Sequence, residues 1–312
     1  MRAALTGTAG FIGSRLAELL LDAGHSVCGI DRLSDYYDPA LKRGNLEQLS
    51  GREAFEPIAG DLNEIDLERT FDGVEVVFHL AAQPGVRASW GAEFDVYLRD
   101  NVLATQRVLE AARDAGVGRV VFTSSSSVYG EAERYPTSEG DPPRPISPYG
   151  VSKLTAEHLC RLYLRQFGVP TVTLRYFTIF GPGQRPDMAF SRFIDAALED
   201  RPLTVLGDGL QSRDFTYVDD AVTATIAAAT RGEPGEAYNV AGGAQTTVLD
   251  VIGHLKRLVG RSLEVRHQGA AAGDVRRTGA DTAKARADLN YEPKTSLEQG
   301  LRLQLEARRA SS

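Results

Sequence analysis

Tyr149 and Lys153 stand four residues apart, a spacing that puts two side chains on one face of a helix. A free phenol titrates near about 10, so an ammonium held beside it would make it a usable base at neutral pH. The same spacing also arises as a solvated aromatic–cation pair. It acquires chemical meaning only if the chain also supplies a hydride acceptor, a hydroxyl beside the phenol and a pocket for a substrate.

The elements that would position such a pair begin at the amino terminus. Residues 2–6 form a short apolar run, Gly7-Thr8-Ala9-Gly10-Phe11-Ile12-Gly13 follows, and residues 14–23 are amphipathic. That is strand, glycine turn and helix. The first glycine permits the tight turn, the second lets backbone approach a pyrophosphate, and the third lets helix pack on strand, with phosphate at the partly positive helix start. A second apolar run, 26–30, ends at Asp31, where a carboxylate takes the adenosine ribose hydroxyls of NAD. Arg32 could instead pair with the 2′-phosphate of NADP, which Asp31 would repel, so NAD is the expected cofactor.

The strand–helix alternation continues through 55–58, leading to Asp61 and Leu62, and 74–80, leading to Leu80, Ala81 and Ala82. Strand carboxyl ends line the ligand crevice of a doubly wound sheet. Asp61 and Leu62 are therefore expected at the adenine pocket, and Leu80 to Ala82 at the ribose and pyrophosphate wall. His79, inside an apolar strand, reads as a hydrogen-bonded core histidine. Asn101 is expected to open a helix over 102–115. Residues 119–123 form a strand ending in Ser124-Ser125-Ser126-Ser127-Val128-Tyr129-Gly130, where a hydroxyl could share the substrate proton with the phenol.

Taken together, Gly7-x-x-Gly10-x-x-Gly13, the serine run before Val128-Tyr129-Gly130, Ser147-Pro148-Tyr149-Gly150-x-Ser152-Lys153 and Arg175-Tyr176-Phe177 resemble the extended short-chain dehydrogenase/reductase family of nucleotide-sugar epimerases and dehydratases. The resemblance implies an α/β fold: a Rossmann-type doubly wound parallel sheet binding NAD, with a smaller carboxyl-terminal domain for a nucleoside-diphosphate sugar. It implies that Ser125, Tyr149 and Lys153 are the catalytic set, that Ser126 and Ser127 reach the sugar, and that Tyr176 and Asn101 belong to the cofactor site. Residues 1–175 with 217–242 would form the first domain, and 176–216 with 243–312 the second. Within the family, Arg185-Pro186-Asp187-Met188-Ala189, Leu33-Ser34-Asp35-Tyr36-Tyr37-Asp38 and Gly273-Asp274-Val275 resemble UDP-glucuronate 4-epimerases. The residues matching Thr178 and Arg185 there hold the sugar carboxylate, which a planar guanidinium grips with two parallel hydrogen bonds. Met188 and Asp274 would also meet substrate. Arg192, Arg213 and either Arg276 or Arg277 are candidates for the diphosphate and uridine. The chain departs from that group at Gly183-Gln184, where Trp-Gly is common.

Strands are further expected at 203–205, 213–216, 237–240 and 263–267, and helices at 190–200, 221–231 and 248–259, with Tyr217-Val218-Asp219-Asp220 capping the second helix. A 4-keto intermediate of a uronic acid is a β-keto acid, prone to lose CO₂. Decarboxylases of the superfamily tend to carry an acidic residue in the serine stretch, and Ser126 and Ser127 favour epimerisation instead. The alternatives are a 4-epimerase of neutral UDP-hexoses, a UDP-glucuronate decarboxylase, or a non-catalytic NAD-binding sensor on the same fold.

Composition agrees with this picture. The 312 residues are 42% hydrophobic with a formal net charge of −7, which argues against general affinity for nucleic acid. Cys28 and Cys160 lack metal or disulfide spacing, so no metal is expected. Nothing reads as a signal peptide or membrane span. A cytoplasmic enzyme is expected, dimeric as family members often are.

Overall fold

A computed structural model describes residues 1–269 and 272–310. Five strands follow the order anticipated from the sequence, β1 (Arg2–Thr6), β2 (Ser26–Asp31), β3 (Phe55–Ala59), β4 (Val76–His79) and β5 (Arg119–Ser125), and β6 (Thr171–Tyr176) comes next. With β10 (Ala237–Val240) they make a seven-stranded sheet ordered β10-β6-β5-β4-β1-β2-β3, every pairing parallel. This is the doubly wound Rossmann arrangement. The strand order reverses between β1 and β4, where a ligand crevice opens at the strand carboxyl ends.

Both faces of the sheet are covered, so its strands are apolar throughout. Strand alternation sends Ala3, Leu5, Phe78, Val121 and Leu174 to the side of α1 (Phe11–Asp22) and α8 (Val218–Arg231). It sends Ala4, Val77, Val120 and Phe122 to the side of α5 (Ala104–Asp114) and α6 (Pro148–Phe167). Cys28 and Cys160 are buried free thiols in this second layer, and His79 bonds Thr6 and Thr105 inside the core.

Helix α6 begins where its sequence dictates. Ser147 caps it by accepting from the Gly150 amide at 3.1 Å, Pro148 occupies the first turn, and Gly168 closes it in the left-handed region at φ 73°. These are the usual start and stop devices of a helix. The cap matters because Tyr149 lies in the turn it fixes.

Under α6 lies a buried ion pair. Arg175 donates to Glu157 at 3.0 and 2.7 Å, and both side chains are 2% exposed. Ser124, the register partner of Arg175 across β5 and β6, donates to the same carboxylate at 2.5 Å. Tyr129 accepts from Arg175 and donates to Asn239 of β10.

Outside the main sheet, β7 (Thr178–Phe180), β9 (Ser212–Tyr217) and β11 (Gln245–Thr247) form a three-stranded sheet, and β8 (Leu203–Leu206) pairs with β12 (Val265–Gln268). α7 (Ala189–Leu198), α9 (Val248–Val259) and α11 (Leu297–Ala310) enclose a further core around Leu203, Val205, Ile252 and Leu305.

Four expectations are corrected. The helix anticipated from Asn101 starts earlier, at α4 (Phe94–Tyr97), and passes through a widened π turn at Leu98–Leu103 before α5. Such turns recur near functional sites. Residues 178–180, where no strand is anticipated, are β7, because Thr178, Ile179 and Phe180 register against Phe215, Thr216 and Tyr217. The first helix starts at Phe11, at the end of the glycine turn. Asp219 and Asp220 lie in the first turn of α8 without capping it; Asp219 grips Arg15 and Asp220 accepts from the amides of Lys294 and Thr295.

Replacing Glu157 by Ala would leave the Arg175 guanidinium buried without its carboxylate, a loss of about 3–5 kcal/mol for a pair this enclosed. Chemical denaturation of Glu157→Ala should show that loss; a change below about 1 kcal/mol, the scale of surface pairs, would mean that the pair is effectively solvated.

Candidate active site

A cleft of about 430 Å³ opens at the reversal point of the sheet. Gly7, Gly10, Phe11, Ile12 and Gly13 form its floor at one end. Gly7 has φ +76°, and a Cβ on Gly13 would lie 2.1 Å from the Gly7 carbonyl, so α1 packs onto the turn at a distance only glycine allows. No side chain caps α1, which leaves its first-turn N–H groups for an anion. The Asp31 carboxylate accepts from the amides of Ala9 and Leu33 at 3.0 and 2.8 Å and borders the cleft. Arg32 is committed to carboxylates, bonding Asp100 and Asp61. With an anion at Asp31 and its neighbouring arginine already paired, the pocket fits NAD and repels a 2′-phosphate.

Asp61 is held by Arg32, Arg99 and the Asn63 amide; these partners outweigh its burial and keep its carboxyl below the usual range. Leu62, Leu80, Ala81 and Ala82 line the same cleft, and so does Tyr176, whose hydroxyl bonds Thr225.

The centre of the cleft holds Ser125, Ser126, Ser127, Tyr149 and Lys153, facing Thr178, Arg185 and Met188. Burial pushes the Tyr149 phenol above its ordinary value, opposed by the neighbouring Ser125 hydroxyl and by the positive charge of Arg185. Its ring packs edge-on against Tyr97 at 6.2 Å. Lys153 is almost fully buried and donates to the Thr123 carbonyl at 2.9 Å. Its ammonium is thus tied to β5. Burial moves Lys153 down to about 8.

Six of the candidate residues do not line this cleft. Asn101 is buried, and its amide brackets Gln83, accepting from its N–H at 2.7 Å and donating to its carbonyl at 3.1 Å; it thus shapes the wall from behind. Arg192 is exposed on α7, beside a separate hollow with Asp195 and Arg201, because Phe193 and Ile194 occupy the buried side of that helix. Arg213 and Asp274 face each other at 3.9 Å, and Arg87 grips the same carboxylate at 2.7 Å. Arg87 follows Val86, a cleft residue, so the trio sits at the mouth. Arg276 pairs with Asp208, and Arg277 bonds Gln245 and covers the Tyr135 ring.

Gln184, the departure from the resembled group, folds inward. It donates to the Ile179 carbonyl at 3.0 Å and accepts from the Ser191 amide and from Gln304 at 3.1 Å each, anchoring the Arg185 loop. Tyr36, Tyr37, Lys42, Gln83 and Gly85 also border the cleft and were not anticipated as site residues. Tyr36 and Tyr37 lay within a resembling stretch, but no periodicity marks a side chain reaching out of a loop.

The low Lys153 value has a sign. Because the folded pKa lies below the ordinary 10.5, the cofactor-free fold loses stability as pH falls from about 10.5 to about 8 and levels off below. Lysine-labelled NMR should show one ammonium titrating near pH 8 that disappears in Lys153→Met; titration of every lysine near about 10.4 would contradict the burial.

Three relatives bear directly on this site. The chain is 46% identical to "Uncharacterized UDP-glucose epimerase YtcB" of Bacillus subtilis, over 96% of each chain. It is 39% identical to UDP-glucuronate 4-epimerase of Thermodesulfobacterium geofontis, over 96% of this chain and 93% of the relative. The crystal structure of UDP-glucuronic acid 4-epimerase from Bacillus cereus with UDP-glucuronic acid and NAD superposes with a TM-score of 0.97 at 42% identity, covering 100% of both chains. The family model "NAD dependent epimerase/dehydratase family" matches residues 3–241, and the chain belongs to that family.

Proposed function

We propose that the protein is an NAD-dependent isomerase that epimerises a UDP-sugar at C4, converting UDP-glucuronate to UDP-galacturonate. The observation that carries this reading is the convergence in one cleft of Ser125 and Tyr149 with Thr178 and Arg185 opposite. Similarity to UDP-glucuronate 4-epimerases along nearly the whole chain supports it. NAD fits the glycine turn and Asp31, where it supplies a hydride acceptor that gives the hydride back, so net redox change is zero.

Tyr149, as phenolate, takes the proton of the sugar 4-hydroxyl, and Ser125 hydrogen-bonds the same oxygen. Bringing the phenol from about 10 to about 7 needs roughly 4 kcal/mol of differential interaction. Burial works against this, so positive charge must supply it: Arg185, Lys153 and the charge that the oxidised cofactor brings. Ser126 and Ser127 hold sugar hydroxyls while the 4-keto sugar turns its other face. Thr178 and Arg185 hold the C6 carboxylate so that the C5–carboxylate bond stays out of line with the carbonyl π system, which prevents loss of CO₂. Met188 packs beside them, and Arg213 with Asp274 reaches the nucleotide part at the mouth.

Sheet membership supports assigning 1–175 with 217–242 to cofactor binding and 176–216 with 243–312 to substrate binding. Exposed Val151 and Leu162 on α6, with Leu98 and Leu103 beside it, suit a homodimer interface. Buried free cysteines suit a reducing cytoplasm. Among the described residues no helix is long and apolar enough to cross a membrane.

Incubation of the purified protein with UDP-glucuronate, followed by NMR of the sugar, tests the reading. UDP-galacturonate is expected; UDP-pentose with CO₂ would indicate a decarboxylase. Unchanged UDP-glucuronate beside epimerised UDP-glucose would favour the second reading, a neutral-hexose epimerase, which the description of the 46% identical relative raises. Arg185→Ala should weaken use of UDP-glucuronate at least about tenfold more than that of UDP-glucose, the scale of a charge-assisted pair; equal losses would make Arg185 structural. Tyr149→Phe should abolish turnover, at least about 100-fold as for loss of a general base, while NAD binding persists; retained turnover would remove the phenol from the mechanism.

A further inference from the structure

Arg185 is not free in the cleft. Its Nε and Nη2 donate to the two oxygens of Asp187, each at 2.9 Å. The guanidinium lies over the Tyr36 ring, 5.7 Å from its centroid, and burial together with the charge of the nearby Asp187 carboxylate raises the Tyr36 phenol above its ordinary value. Tyr36 comes from the loop after β2 in the NAD-binding half, whereas Arg185 and Asp187 come from the loop after β7. The Tyr36 hydroxyl passes close over Gly85, where a Cβ would lie 2.7 Å from it. The Tyr36 loop is anchored by Lys42, which donates to the Ser34 carbonyl and hydroxyl at 2.6 and 2.8 Å.

A guanidinium offers two edges to a carboxylate, the side edge of Nε and Nη2 and the end edge of Nη1 and Nη2. Asp187 occupies the first. Among the described residues the Nη1 donors have no protein partner, and Arg185 borders the cleft. Arg185 is about one-fifth exposed and Asp187 two-fifths, so Asp187 lies on the outer side of the pair. The paired charges also sum to zero. An incoming anion is therefore selected by the geometry of the remaining donors more than by bulk positive potential.

Resting on the function proposed above, we propose that Asp187, steadied by Tyr36, is a positioning and specificity-determining residue that fixes Arg185 so that only its end edge meets the C6 carboxylate of the sugar. Without Asp187 the guanidinium swings, and two consequences follow. The carboxylate loses a pre-set bidentate partner. In the 4-keto state it can also rotate into line with the C4 carbonyl: the C5–C6 bond then breaks, its electron pair passes into the carbonyl as an enolate, CO₂ leaves, C5 takes a proton from solvent, and the resulting 4-keto pentose takes back at C4 the hydride removed in the oxidation step, giving UDP-pentose.

The test uses the NAD-loaded full chain with Asp187→Ala, Asp187→Glu and Tyr36→Phe. Calorimetry measures UDP-glucuronate and UDP-glucose binding, and NMR measures products. Asp187→Ala is expected to weaken UDP-glucuronate at least about tenfold while UDP-glucose stays within about twofold, and to release UDP-pentose that the wild type does not. Asp187→Glu should restore part of the affinity, and Tyr36→Phe should give a smaller loss of the same selectivity. Equal weakening of both sugars, or no weakening of UDP-glucuronate, overturns the role of Asp187. A wild type that itself fails to act on UDP-glucuronate overturns the functional reading and this inference together, so the two failures are distinguishable.

Discussion

The Glu157–Arg175 ion pair is the contact on which the geometry of the site depends. Tyr149, Lys153 and Glu157 follow one another at four-residue intervals on α6 and so share one face. Glu157 meets Ser124 and Arg175, which are register partners on adjacent strands. Strand alternation then turns the next pair, Ser125 and Tyr176, the other way, at the strand ends where the cleft opens. A slip of one residue in either strand would exchange these sets and leave a charge facing the apolar layer around Val121 and Leu174. The buried pair thus specifies register, and register brings Ser125 to Tyr149. Lys153 reinforces this by tying its ammonium to the Thr123 carbonyl.

A second feature is the division of labour across the cleft. The wall built from β1, β2, β4 and β5 supplies the glycine turn, Asp31 and Ser125 at strand ends, and α6 adds Tyr149 and Lys153. The opposite wall, from β7 and the loop after it, supplies Thr178, Arg185 and Met188. Gln184 anchors that loop to α11 through Gln304, so the carboxyl-terminal helix bears on the wall chosen for specificity. In the proposed mechanism, oxidation chemistry and substrate choice therefore rest on different elements.

The parts of the fold with a repeating physical signature were legible in the sequence. Strands buried on both faces read as apolar runs, the glycine turn fixes its own position, and Ser147-Pro148 marks the start of α6. The members of the site at strand ends followed from those runs. What escaped is what depends on contact between distant loops. Tyr36 reaches Asp187 across 151 positions of sequence, and Arg87 reaches Asp274 across 187. Arg192 was placed by its charge, although Phe193 and Ile194 beside it already marked the buried side of α7. Asn101 was placed by resemblance at the cofactor, whereas its amide is spent on the Gln83 backbone.

The central claim is that one hydrogen leaves C4 and returns to C4 of the same sugar on its opposite face. It is tested most directly by giving the NAD-loaded protein UDP-glucuronate deuterated at C4, in the absence of added NAD, and examining the product by proton and deuterium NMR. The account predicts UDP-galacturonate that keeps its deuterium at C4. Product with protium at C4 would contradict it.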